Sequence, residues 1–449
     1  MTALTDTLRV IVGANHLSTD PDVLASRCVD WTGRYRGTAT VLVRPADTGE
    51  VAAVLAACRA AGRCVTVQGG RTSLVAGTVP EHDDVLLSTE RLTDLGPVDT
   101  VERRVRAGAG VTLSQVQRVA AATGLLFGVD LTARDSATVG GMAATNAGGL
   151  RTVRYGPMRD QVMGLDVALP DGTVLHRHSR IRSDNTGYDL ASLFVGAEGT
   201  LGVITAVDLR LHPVPTHRVT AICGFADLEA LIDVGRELRD LETIAALELV
   251  DGRAMTLAAE HLGSTAPAPG DWLLLAELAA DSDPVDQLAG VLKGAPLCGP
   301  PAVGVGPADQ QRLWQAREIV AEVVGLFGPP VKFDVSLPLS SLASFGAESG
   351  ALLQRLAPQT LAVLFGHIGE GNLHLNVLRC EADDESRIYA PMLELIAAHG
   401  GNVSSEHGIG SRKRSYLGMS RQPADIAAMR TIKAAFDPTG YLNPAVLFD

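Results

Sequence analysis

The chain has 449 residues, a formal net charge of -13, 46% hydrophobic and 20% charged residues. That length exceeds what one core organises, so two or three domains are expected, and the acidic balance excludes nucleic acid, whose phosphates need a basic face. Six cysteines without a CxxC spacing exclude a thiolate metal site, no apolar run reaches membrane-spanning length, and no basic, apolar leader opens the chain, so a cytoplasmic protein is expected.

The first predicted strand is Thr40 to Pro45, after which Asp47 and Glu50 form a capping box opening a helix to Gly62. Cys64 to Gln68 is the next strand. It empties into Gly69-Gly70-Arg71-Thr72-Ser73-Leu74-Val75-Ala76-Gly77, with glycines at both ends and hydroxyls between. Freed backbone amides, with Arg71, Thr72 and Ser73, suit a pyrophosphate; the plain alternative is a simple turn. A Rossmann site is not indicated, because no G-x-G-x-x-G joins a strand to a helix. Val101 to Ala107 reads as a strand, and Thr112 with Gln115 caps a helix ending near Gly124. Asp135 to Gly149 is built almost wholly of small residues, a surface against which a flat ligand can lie. Gly164 to Pro170, Gly172 to Leu175 and Gly199 to Leu211 are predicted strands of one sheet, with a boundary at Pro213 and Pro215. From about Arg218 to about Leu378, strands alternate with amphipathic helices such as Gln310 to Phe327, which marks a second domain. A helix from Pro423 to Phe436 stops at Asp437-Pro438, ahead of Asn443-Pro444.

Within the second domain, Phe365-Gly366-His367-Ile368-Gly369-Glu370-Gly371-Asn372-Leu373-His374-Leu375-Asn376-Val377 reads as a β-hairpin turning at Glu370-Gly371. That centre sets His367 opposite His374 and Phe365 opposite Asn376. Opposed residues have Cβ atoms roughly 4.5 to 5.5 Å apart, within reach of one divalent ion, although a hydrogen-bonded core pair is the plainer reading. A third ligand is offered by Glu406 in Ser404-Ser405-Glu406-His407-Gly408. Neighbours in extended chain point opposite ways, so Glu406 can face the metal while His407 acts as proton acceptor; the alternative is a solvated surface loop.

Taken in order, these stretches together with Ala144-Thr145-Asn146-Ala147-Gly148-Gly149, Asn185-Thr186-Gly187-Tyr188-Asp189-Leu190 and Gly196-Ala197-Glu198-Gly199-Thr200-Leu201-Gly202 resemble the FAD-linked oxidoreductases of the vanillyl-alcohol oxidase, or PCMH-type, fold. The branch they resemble is that of the D-2-hydroxyacid dehydrogenases, which act on D-lactate, D-2-hydroxyglutarate or glycolate. The resemblance implies an α+β protein: a PCMH-type FAD-binding domain over 1–217, an α/β substrate or cap domain with the metal hairpin over 218–400, and a C-terminal segment, 401–449, on the FAD site.

It further implies that Gln68, Gly69, Gly70, Arg71, Thr72, Ser73 and Gly77 hold the pyrophosphate. Ser136, Gly140, Gly141, Thr145, Asn146, Gly149 and Ile204 would wrap the rest of FAD, with Asn443 near the flavin. Arg71 stands in a loop where covalently tethered relatives carry a histidine or cysteine, so non-covalent FAD is expected. By the same resemblance His367, His374 and Glu406 bind a zinc-like ion, and Arg317 and Lys332 grip a substrate carboxylate; from their places in the chain, Asn376, on the His374 side of its strand, is expected to contact the substrate, and His407 to take the hydroxyl proton as a hydride passes to flavin N5. A departure is Ala321, where D-2-hydroxyglutarate enzymes carry threonine. The electron acceptor is left open between quinone, an electron-transfer flavoprotein and a cytochrome, and a homodimer is among the assemblies allowed. Competing functions are a metal-dependent hydrolase without flavin and an FAD-binding subunit of a glycolate oxidase complex.

Overall fold

The computed structural model describes residues 2–178, 184–381 and 383–448. Two compact units are present: the first takes the described parts of 1–148 and 406–449 with Gly156–Val214, and the second takes Gly149–Tyr155 and Pro215–Ser405.

The first unit holds two sheets. In one, β1 (Ala39–Val43), β2 (Val65–Gln68) and β3 (Asp84–Ser88) run parallel with β3 central, and the short strand Leu17–Ser18 lies antiparallel on β1. Parallel neighbours need a crossover, and α1 (Thr48–Ala60) supplies it between β1 and β2. Asp47 Oδ1 accepts from the Glu50 N–H at 2.9 Å, so the N-cap opens the helix where the spacing predicts, but Glu50 Oε2 takes the Ala46 N–H at 2.7 Å, one residue before the Asp47 N–H that a capping box uses. Val51, Val54 and Leu55 of α1 meet Val41, Val43, Val65, Val85 and Leu87 of the strands in one core.

The other sheet is antiparallel, in the order β4 (Arg104–Gly108), β7 (Val203–Pro213), β5 (Val162–Ala168), β6 (Val174–Arg177), with Leu125–Phe127 also on β7. Alternation sends Val105, Ala107, Leu165, Val167, Val207 and Leu209 into a core with α2 (Leu113–Ala121) and α3 (Val139–Thr145). The small-residue stretch is thus half loop and half short helix. Helix Pro423–Phe436 matches its predicted bounds.

The second unit is built on an antiparallel sheet in the order Ala302–Gly304, β8 (His217–Phe225), β10 (Trp272–Ala280), β9 (Ile244–Asp251), β12 (Leu361–Gly366), β13 (Asn372–Leu378), β11 (Val331–Ser336). Helix α4 (Pro307–Gly325) lays Leu313, Val320, Val323 and Val324 on one face, against Ile222, Val250, Leu273 and Leu275.

The hairpin register differs from the predicted one. His374 lies opposite Phe365 and Asn376 opposite Val363, so His367 and His374 are diagonal rather than opposed. The cause is the connection: Ile368–Glu370 forms a 3₁₀ turn, His367 O accepts from the Glu370 and Asn372 N–H groups, each at 3.2 Å, and Gly371 has φ 71°. A Cβ at Gly371 would lie 2.2 Å from Leu337 O, so no other residue fits this turn. Because the slip is two residues, every side chain keeps its face.

Candidate active site

On the sheet face that α4 covers, β9, β12, β13 and β11 bring Glu248, Phe365, His374, Asn376, Lys332 and Asp334 into neighbouring rows. Glu248 is fully buried, and its two oxygens are divided: Oε2 accepts from Arg317 Nε at 2.7 Å and Oε1 from His367 Nδ1 at 2.5 Å. Burial pushes the Glu248 carboxyl up, but His367 and Arg317 outweigh it and hold the group below the usual glutamate range. Arg317, only 5% exposed, stacks its guanidinium 4.7 Å from the Phe365 ring centre. Its terminal nitrogens meet no acceptor among the described residues.

The His367 and His374 rings stand edge-to-face with centroids 5.3 Å apart, and Asp334, directly across from His374, places Oδ1 3.7 Å from its Nδ1. Two imidazoles with a buried carboxylate are a donor set suited to a borderline divalent ion such as zinc. Lys332 faces Asn376 across β11 and β13; Asn376 is buried, with its Nδ2 donating to His374 O at 3.2 Å. Asp334 also pins the next segment of chain, accepting from the Ser405 N–H at 3.1 Å. Glu406 is the residue that follows, one peptide bond on.

Glu406 and His407 open the last stretch of the first unit, half-buried, with 3.8 Å between Glu406 Oε1 and His407 Nε2. The loop after them is clamped by Glu198, whose oxygens accept from the Ile409 and Gly410 N–H groups at 2.8 and 2.7 Å. Burial raises the Glu198 carboxyl despite those two donors and Lys413.

The glycine-rich loop runs against the small-residue stretch. A Cβ on Gly70 would lie 1.9 Å from Ser136 O, and one on Gly140 2.5 Å from the Ala109 Cβ, so both strips of backbone approach where side chains are excluded. Thr138 Oγ1 and Gln68 Oε1 are buried there without a hydrogen-bond partner among the described residues, as expected of polar groups that await a polar ligand. Gln68 Nε2 donates to Arg27 O and Thr78 O, and Arg71, at φ 55°, donates to Ser26 O at 2.8 Å. Ser73 Oγ accepts from the Val75 N–H, Thr145 Oγ1 donates to Gly141 O, and Asn146 Oδ1 accepts from the Arg159 N–H. Ile204 is buried in β7. Asn443 ties both ends of its amide to backbone: Oδ1 accepts from the Val67 N–H at 2.8 Å and Nδ2 donates one N–H to Glu198 O at 2.9 Å. Gly149 groups with the second unit.

Residues 214–447 match the family described as FAD linked oxidases, C-terminal domain, and residues 39–177 match the FAD binding domain. The chain belongs to the FAD-linked oxidases. D-2-hydroxyglutarate dehydrogenase, mitochondrial, of Bos taurus is 38% identical over 448 residues, covering 97% of this chain and 81% of that protein. D-2-hydroxyglutarate dehydrogenase of Stutzerimonas stutzeri is 32% identical over 462 residues, covering 99% of both. In fold the chain is similar to p-cresol methylhydroxylase with substrate bound, at a TM-score of 0.82 and 17% identity, covering 100% of this chain and 97% of that one.

An FAD-linked oxidase must hold a flavin, and the two glycine-lined strips with their orphaned polar atoms, which lie within the matched FAD binding domain, fit that need. Thr138 was not singled out by sequence reasoning, although it lies inside the small-residue stretch. Glu248, Asp334 and Glu198 were also missed as functional groups. An acid inside the apolar run Ala245-Ala246-Leu247-Glu248-Leu249-Val250 is the signal that could have found the first. A second His/carboxylate group, Asp166, His176 and His178 on the β5–β6 face, has Arg106 bound to Asp166. That internal cation already answers its charge, so the group reads as an ion-pair network.

Proposed function

We propose that this FAD-linked oxidase dehydrogenates a D-2-hydroxy acid, of the D-2-hydroxyglutarate or D-lactate class, to the 2-oxo acid, using non-covalently bound FAD and a divalent ion, zinc by donor type. The observation that carries the reading is Arg317: a buried guanidinium held by Glu248 through Nε, its terminal nitrogens unspent, beside two imidazoles. A carboxylate answers such a group with two parallel hydrogen bonds, and Lys332 adds a point charge.

His367, His374 and Glu406 would hold the ion, with Asp334 beside His374. When bound, the ion supplies Lewis acidity toward an α-hydroxyl and FAD supplies the acceptor for the Cα hydride. The residues of this chain do the rest. Arg317 and Lys332 fix the carboxylate end, which orients the Cα–H bond. His407, one residue after Glu406, takes the hydroxyl proton. Asn376 lines the same face and offers a hydrogen bond to the substrate. The relatives named for D-2-hydroxyglutarate favour that acid, whereas Ala321 removes one hydroxyl contact expected for it.

The test is anaerobic bleaching of the purified yellow protein by D-lactate, D-2-hydroxyglutarate and glycolate in turn. Rapid bleaching by at least one, lost in His407→Asn with the flavin band intact, is the expected result. No bleaching by any 2-hydroxy acid, or normal rates in His407→Asn, would refute the reading or the role.

A further inference from the structure

Glu248 sits at the centre of a β-strand whose neighbours are apolar, with no exposure to water. Burying a carboxylate costs several kcal/mol unless it is paired and fully hydrogen-bonded, so its two partners are what make the position tolerable. Those partners are Arg317 and His367, one on each oxygen. On the same face Asp334 pairs with His374 and accepts from the Ser405 N–H, and Glu277 pairs with Arg151, none of them a residue that joins Arg317 to His367. Glu248 bridges the residue that would receive the substrate carboxylate and one that would receive the metal.

An ionised carboxylate only accepts hydrogen bonds. The His367 nitrogen facing it, Nδ1, therefore carries the proton, which leaves the Nε2 lone pair for an ion. The same carboxylate takes the Nε–H of Arg317 and leaves the outer edge of the guanidinium for an anion. We infer that Glu248 is a positioning residue that sets both groups at once and couples metal binding at His367 to carboxylate binding at Arg317. The sign follows from charge. An ion on Nε2 draws Glu248 toward His367 and leaves Arg317 less compensated, hence hungrier for an anion; an anion on Arg317 releases Glu248 to polarise Nδ1–H and strengthens the metal ligand. Linkage makes the two effects equal.

This rests on the proposed roles of His367 and Arg317, and the experiment separates the two. Zinc is titrated into metal-stripped, flavin-loaded protein with and without propionate, a carboxylate lacking the α-oxygen that could itself ligate the ion. Wild-type protein is expected to bind zinc on the order of 5-fold tighter with propionate present. In Glu248→Gln, whose amide must offer N–H to one of two donors, zinc affinity should fall roughly 10- to 100-fold and the propionate effect should vanish. If wild-type protein takes up no zinc, both this inference and the metal reading fall. Should wild-type bind zinc and Glu248→Gln bind it equally, with the propionate effect intact, only the role of Glu248 falls. A measurement on the unaltered holoprotein guards against misfolding of the variant: in ¹⁵N-histidine spectra the His367 signal, assigned by its loss in His367→Asn, should show the proton on Nδ1. A proton on Nε2 would overturn the inference.

Discussion

Thr138 shows how one atom can report a ligand. A buried hydroxyl with no partner costs about 1–3 kcal/mol, and Thr138 Oγ1 sits in that condition between the two glycine-lined strips. Valine has the same shape without the hydroxyl. Thr138→Val should leave the flavin-free protein as stable as before or slightly more so, while FAD affinity falls on the order of 5- to 10-fold, the equivalent of one hydrogen bond of about 1 kcal/mol. Fluorescence titration of flavin-free protein with FAD checks this, and an unchanged affinity would remove Thr138 from the flavin site. Neither its hydroxyl nor the two oxygens of Glu248 could be assigned from spacing, because what matters is which partner each lacks or finds, and the partners are remote in sequence.

At the scale of elements, helix N-caps and strand alternation were legible because they depend on neighbours a few residues apart. Asp47 with Glu50 and Thr112 with Gln115 open their helices where predicted. The histidine hairpin was legible as a hairpin but misaligned by two, since a 3₁₀ turn held against Leu337 O replaced the tighter reversal. The outer face of the β4–β7–β5–β6 sheet carries a further testable element. Burial pushes the Asp166 carboxyl up, yet the His176 hydrogen bond and the charges of His178 and Arg106 outweigh it and hold the group below its ordinary value. A depressed acid contributes stability that is complete above its unfolded value of about 3.9 and is lost as pH falls through the lower folded value. Asp166→Asn should therefore cost about 1.5–3 kcal/mol near neutrality and lose less on acidification than the parent protein. Melting curves from neutral pH to below 4 decide it, and parallel losses in the two proteins would contradict the assignment.

Across the whole molecule, most of the matched FAD binding domain lies in one unit and the paired imidazoles in the other. Flavin and the proposed ion should then be separable. Treatment with a chelator is expected to abolish substrate-driven bleaching while the flavin band persists through gel filtration. Re-adding zinc at about 100 times its Kd should restore bleaching and add about 2.7 kcal/mol to the stability of the protein. Loss of flavin together with the metal would argue that the sites are not independent.

Local periodicity was enough to read strands, helices and a histidine-bearing hairpin, and the ordered motifs carried a resemblance that implied an α+β FAD-linked oxidase, since each of those signals is written within a short window. Tertiary structure alone decided that Arg317 and His367 share one buried carboxylate, that Asp334 stands across from His374, that Asn443 ties both ends of its amide to backbone, and that the Thr138 hydroxyl finds no partner among the described residues. The physical reason is that hydrogen-bond satisfaction in a dry interior is settled by groups brought together from 69 to 376 residues apart, as for Arg317 with Glu248 and Asn443 with Val67, and a linear pattern holds no record of that meeting.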